Sequence, residues 1–268
     1  MHARRFFHAV PLAVLLVATI TAQAQERQLK SGVDPTDFVT RFEPEFRYLE
    51  FEEGGDVTFD VLRGDLLLTE DYISRLDVPF GTFDPSQAQR TRGINEKSGL
   101  GDIAFQVLRN FHSTTTIQDA LGIGVRLDTA SEEGLGQGGN SIAALYAMSH
   151  DIQPDWLFLP EINLEYGSNL DDPLTGMSED RILLSLNPNV AWEPFLPSLT
   201  WLSIETELAF EFEENDTLFN IGAEYGLMFL PDIAAFGGVT LGAADSARDW
   251  SFQAGLRMLF PDHPPLFL

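Results

Sequence analysis

The chain has 268 residues, with 16 basic and 41 acidic side chains, a formal net charge of −25 and no cysteine. That balance argues against electrostatic binding of nucleic acid or of anionic lipid headgroups, and the missing thiols exclude disulfides, thiolate metal sites and thiol catalysis together. It favours cations as loosely held partners, with an acidic surface suited to solubility or a saline habitat as the plainer account.

The first 24 residues have the layout of an export signal: Arg4 and Arg5, an apolar run from Ala9 to Ile20, then Ala22-Gln23-Ala24 as the cleavage signature. The run is shorter than the roughly 18 residues a spanning helix needs. Its removal takes away two Arg and no acid, so the balance moves from −25 to −27. Residues 25–44 are expected to form an N-terminal periplasmic segment, 45–260 the folded body and 261–268 a short tail. Every later apolar stretch is broken by Gly, Pro or a carboxylate within a few residues, which rules out spanning helices. In a bilayer only a closed barrel remains, and the reading that competes with it is a soluble periplasmic β protein.

Period-two alternation predicts strands near 45–52, 57–67, 72–80, 101–111, 119–128, 141–150, 156–167, 180–192, 200–213, 217–229, 232–242 and 249–260. These make an all-β, antiparallel, up-and-down transmembrane barrel of about 12 strands. The ninth is the clearest: Leu202, Ile204, Leu208, Phe210 and Phe212 alternate with Glu205, Glu207, Glu211 and Glu213, so one face is oil and the other needs water or basic partners. Three segments carry aromatic pairs ten residues apart: Trp156 and Tyr166, Phe219 and Phe229, Trp250 and Phe260. Ten strand residues rise about 33 Å, which a tilt of about 40° projects onto the roughly 25 Å between the aromatic girdles of such a barrel. With the N-terminus periplasmic, the even-numbered connections are short and the longest loops, 81–100, 129–140 and 168–179, gather on the outer rim.

Parity assigns the interior. Arg75, Asp77, Arg126, Asp128, Arg181 and Arg257 lie opposite the lipid-facing set, beside Glu161, Glu165, Glu205, Glu207, Glu211 and Glu224. Arginine–carboxylate ladders bracing a narrow interior are the expected arrangement, with surplus acids in contact with water. Twelve strands lie between small filled barrels and open porins of 16–18 strands, so free diffusion of large solutes is not expected.

In the last strand, Gln253, Gly255, Met258 and Phe260 resemble the terminal signal read by the barrel-assembly machinery, although such proteins usually stop at the aromatic residue. Four further places carry a family likeness: Leu76-Asp77-Val78-Pro79, Gly99-Leu100-Gly101-Asp102, Gly124-Val125-Arg126-Leu127 and Leu135-Gly136-Gln137-Gly138. Over roughly 76–138 they resemble the outer-membrane proteins grouped under the MetA pathway of phenol degradation, whose central strand usually runs into Pro-Thr-Gly where this chain has Asp128-Thr129-Ala130. The resemblance implies a barrel that passes small, hydrophobic or aromatic compounds. The alternative is a barrel that serves envelope structure or surface interaction without transport.

Other chemistry finds little footing. The mature histidines, His112, His150 and His263, have no companion run of the kind a barrel phospholipase uses, so no enzyme is expected, and they read as turn residues rather than a zinc site. Gly134, Gly136 and Gly139 spell G-x-G-x-x-G, yet a strand and not a helix follows, which makes the motif a flexible outer loop. Asp102 is read as a turn cap rather than part of a gate. The acids at Asp171-Asp172 and Glu213-Glu214-Asn215-Asp216 could bridge lipopolysaccharide through Ca²⁺ or Mg²⁺, with solvated turns as the plainer reading. No cofactor is expected. The expected partners are outer-membrane lipid, lipopolysaccharide, the assembly machinery and a small-molecule substrate, and not nucleic acid.

Overall fold

The computed structural model describes residues 34, 36, 38–51, 55–91, 93, 95–114, 116–132, 135–153, 155–171, 178–193, 200–212, 216–243, 248–260, 264, 266 and 267. The expected signal sequence and His263 lie outside them, and the side chains of the turn acids at 171–172 and 213–216 are not described.

Alternating sequence becomes alternating faces. The strands are β1 (Thr40–Phe51), β2 (Asp56–Thr69), β3 (Tyr72–Asp84), β4 (Lys97–Leu100), β5 (Ile103–Ser113), β6 (Ile117–Leu127), β7 (Asn140–Gln153), β8 (Trp156–Asp171), β9 (Ser178–Trp192), β10 (Thr200–Glu211), β11 (Asp216–Leu230), β12 (Ile233–Ala243) and β13 (Arg248–Phe260). Neighbours pair antiparallel in chain order, and β1 closes the cylinder against β13, with Thr40 opposite Phe260. Both β4 and β5 pair along β3, so together they act as one stave and the barrel has twelve. Among the described residues no helix is long and apolar enough to cross a membrane.

Register fixes which residues face out. Trp156 lies opposite Trp192 and Tyr166 opposite Ile182, while Leu208 lies opposite both Leu186 and Phe219. The outward set is exposed although apolar: Ile123 is 64% accessible, Tyr225 55% and Leu241 53%. A face that apolar suits acyl chains and not water. All three aromatic pairs fall on it.

The strands differ from expectation at their ends. β1 opens at Thr40, inside the stretch 25–44 expected to precede the barrel, because Pro44 masks an alternation that otherwise runs through Arg41, Glu43, Glu45 and Arg47. The anticipated loop 81–100 contains the end of β3, the short helix α1 (Gln87–Thr91) and β4. Gly101 and Asp102 stand off the ladder between β4 and β5, and β10 stops at Glu211 rather than reaching residue 213.

Both ends of the cylinder hold chain inside it. At the short-turn rim, which in bacterial barrels is periplasmic, Phe38 packs on Ile73, Leu108 and Ala120, and Val39 on a cluster of Trp201, Met228, Ala234, Phe236 and Leu259. Thr36 is buried, with its hydroxyl 3.4 Å from Gln118 Oε1. At the long-loop rim Leu135 is buried over Gly81 and Gly101. The loop that carries it is pinned rather than free: the Asp102 carboxylate accepts the backbone N–H of Thr129 and Ala130, each at 3.2 Å, and of Gln137 at 2.6 Å. Asp102 therefore caps a loop thirty residues away, because a carboxylate can satisfy several orphan donors at once.

The tail has a place as well. Leu266 and Phe267 donate their backbone N–H to the carbonyls of Leu67 and Leu68, at 3.0 and 2.7 Å. Those β2 residues run past the start of β1, and the tail covers an edge that would otherwise be open.

Candidate functional site: the charged lumen

Side chains inward from β1, β2, β3 and β13 form a ladder of guanidinium and carboxylate. Arg41 Nε lies 2.6 Å from Asp65 Oδ2, and Arg75 Nε 3.0 Å from Asp65 Oδ1, so one buried carboxylate is held between two arginines. Arg63 grips Asp77 with two bonds, at 2.9 and 3.0 Å, and stands 3.5 Å from Glu43. Glu43 also accepts from Arg257 at 2.5 Å, and Arg257 reaches Glu224 at 3.9 Å. Trp201 Nε1 and Gln253 Nε2 complete the set by donating to Glu224 at 2.9 and 3.1 Å. Bidentate, charge-assisted bonds of this kind orient both partners as well as attract them.

Aromatic rings back the same corner. The Arg257 guanidinium lies 4.9 Å from the Phe236 ring centre and 5.3 Å from that of Trp201, within the range where a cation is attracted to a ring face. Arg257 is thus fixed by two carboxylates and two rings at once.

The opposite wall is acidic without matching arginine. Glu205 accepts from the Ser203 hydroxyl at 3.3 Å and Glu207 from the Asn220 amide at 2.9 Å, and Glu161 opens onto the same space. Nearer the long-loop rim two separate pairs form, Arg126 with Glu165 at 3.3 Å and Arg181 with Glu211 at 2.5 Å. Asp128 is the residue of the expected set that stands apart. It lies one position beyond the end of β6, exposed, with its backbone N–H bonded to Asn140 Oδ1, because the strand ends before its alternation reaches that residue.

Sequence parity found Arg75, Asp77 and Arg257 but missed their partners Arg41, Glu43, Arg63 and Asp65. The available signal was the spacing Arg-x-Asp, present at Arg63-Gly64-Asp65 and again at Arg75-Leu76-Asp77. In an antiparallel pair two such triplets face each other with charges crossed.

Between the two walls lies open space: a chamber of about 240 Å³ toward the short-turn rim and one of about 340 Å³ above it. Arg47, Asn189, Glu205 and Gln253 line both, so the two are neighbours in one polar interior. Among the described residues no group of three or more His, Asp or Glu is arranged to hold a metal ion. Of the histidines, His112 lies outside the lumen, with Nδ1 3.0 Å from Asp119.

No family model and no curated protein matches the sequence. Solved structures do match in fold. The COG4313 outer membrane channel from Pseudomonas putida F1 superposes with a TM-score of 0.65 at 14% identity, over 85% of this chain and all of that one. The NanC porin gives 0.57 at 11% identity, over 82% and 98%. The KdgM porin, solved in complex with disordered oligogalacturonate, gives 0.53 at 9%, over 82% and 99%. At these identities the likeness is one of fold: the protein is a closed antiparallel twelve-stranded barrel of the kind found in outer-membrane channels and porins.

Proposed function

We propose that the protein is a gated channel for small molecules in the outer membrane. The observation that supports this most directly is the pair of adjoining polar chambers, in a cylinder that holds Phe38 and Val39 packed on its inner wall at one rim and Leu135 buried at the other. A barrel meant only as a wall has no need of a hydrated interior, whereas a restricted path needs both space and something that closes it. The chambers admit solutes of a few hundred Å³ at most, and fixed charges in a low-dielectric surround act strongly on whatever enters.

The lining bears on the cargo. The resemblance to the MetA-pathway proteins supports aromatic compounds, and the amides, hydroxyls and carboxylates of the chambers favour those that carry a polar or ionised group. A wholly apolar compound meets matching inner surface toward the rims, around Phe38 and Val39 at one and Leu135 at the other.

A second reading has its own support. The ion-pair ladder braces the interior and chain fills both ends, which would also suit a barrel of envelope structure. Conductance in a planar bilayer, together with uptake of aromatic acids by cells with and without the protein, separates the two. Measurable current or protein-dependent uptake favours the channel, and silence in both assays favours the structural role.

A further inference from the structure

Arginines in the strands follow a rule with one exception. Those of β1, β2, β3, β6, β9 and β13 whose side chains are described sit on the inner face and meet carboxylates there. Arg109 of β5 points the other way. It lies across the ladder from Tyr72 and Leu121, both exposed on the outer wall, and is itself exposed. Its guanidinium stands 5.5 Å from the Tyr72 ring centre, and among the described residues no carboxylate bonds to it.

The height of this residue on the wall is set by its neighbours. Tyr72 is the first residue of β3 after the tight turn at Glu70 and Asp71, so Arg109 sits in the aromatic girdle of the short-turn rim. That girdle marks the headgroup level of the periplasmic leaflet. A second polar group stands nearer the rim. Register puts Asp119 two residues from Leu121, about 7 Å along the strand, and Asp119 Oδ2 lies 3.0 Å from Nδ1 of His112, a residue whose side chain is 51% exposed. The other carboxylate oxygen of Asp119 accepts from the Tyr146 hydroxyl at 2.9 Å. Held at both oxygens, Asp119 fixes the imidazole. With Nδ1–H donated to the carboxylate, Nε2 is left as an acceptor.

A cation without a counter-ion on a lipid-facing wall is costly unless an anion reaches it, and a guanidinium matches a phosphodiester with two parallel bonds. Exposed Phe111 and Leu121 flank the place with apolar surface for acyl chains. On a chain of net charge −25 general attraction to anionic lipid is weak, so a zwitterionic headgroup fits better than an anionic one. We infer that Arg109 and His112 form a site for a periplasmic-leaflet phospholipid with an ammonium-bearing headgroup. Arg109 takes the phosphate, and Nε2 of His112, positioned by Asp119, takes the ammonium. The site is on the outside of the barrel and does not depend on transport.

The test is native mass spectrometry of the full folded chain released from mixed micelles holding equal amounts of phosphatidylethanolamine, phosphatidylglycerol and diacylglycerol. Wild type is expected to retain phosphatidylethanolamine above the other two. Arg109→Gln is expected to lower that retention about fivefold, the worth of one interfacial arginine, and Arg109→Lys, which keeps the charge and guards against a folding artefact, to fall between. His112→Leu is expected to erase the preference for phosphatidylethanolamine over phosphatidylglycerol. Undiminished retention by Arg109→Gln and Arg109→Lys, or equal retention of diacylglycerol by wild type, overturns the site. Equal retention of phosphatidylethanolamine and phosphatidylglycerol by wild type overturns the role of the imidazole.

Discussion

Arg63 and Asp77 face each other across β2 and β3, and two residues along the same ladder Asp65 faces Arg75 with the charges exchanged. The crossed pair follows from antiparallel pairing of two Arg-x-Asp triplets. Each charge has the opposite sign across the ladder and again two residues along its own strand, so either strand slipping by one residue would turn its own two charges onto the lipid side and strand their partners inside. The ladder therefore sets register as well as bracing the interior.

The most deeply covered member gives the sharpest stability test. The Asp65 side chain is 2% exposed between Arg41 and Arg75, and removing its charge takes away the buried carboxylate that two guanidinium groups share. Asp65→Asn is expected to cost about 3–5 kcal/mol. Asp77→Asn, at a site with a side chain 21% exposed, is expected to cost less. Guanidinium unfolding in lipid vesicles, followed by tryptophan fluorescence, checks the order, and equal costs would mean that burial does not govern the ladder.

On β10 the two faces can be tested by adjacent residues. Leu208 lies on the outer wall between Leu186 and Phe219, and Glu207 on the inner one. Leu208→Arg is expected to cost about 2–4 kcal/mol, the penalty for a charge near the bilayer midplane, while Glu207→Gln is tolerated. Reconstituted folding yields measure both, and the same loss in the two variants would contradict the assigned faces.

Gly226 bears the ring of Trp201. A methyl group built on Gly226 would overlap that ring, which packs against the glycine with its Nε1–H directed to Glu224. Gly226→Ala is expected to displace the ring, release the bond to Glu224 and destabilise the barrel by about 1–3 kcal/mol. A red shift of tryptophan emission in the folded variant, absent from Gly237→Ala where the added carbon meets only ordinary contacts, would report the movement.

Chain at the short-turn mouth gives the functional prediction. A mature chain lacking the residues before Thr40 loses the packing of Phe38 and Val39 on the inner wall. Its conductance in planar bilayers is expected to rise above that of the intact chain. Equal conductance would show that this segment does not close the path.

Legibility in the sequence tracked how cleanly one period dominated. β10 alternates through most of its length, with Thr206 the polar member of its outer face, so its outer leucines and inner glutamates could be assigned from spacing alone, and the outward aromatic pairs gave the span. β1 resisted because Pro44 interrupts its alternation, although Arg41, Glu43, Glu45 and Arg47 keep perfect parity across it. Asp128 failed for a different reason: parity says which way a residue would point, and nothing local says that β6 ends one position earlier. The pairing of Arg63 with Asp77 depends on a register set by the whole ladder. The role of Asp102 depends on a loop that comes back to it, which no window of neighbouring residues contains.

The clasp made by Leu266 and Phe267 has a mechanical corollary. β13 ends at Phe260 opposite Thr40 of β1, and Leu266 and Phe267 fasten to β2 on the other side of β1, so the joint where first and last staves meet is tied across by a strap. Parting that joint sideways means tearing the strap as well as unzipping the ladder, and the weakest line in this cylinder should be sought elsewhere on its circumference.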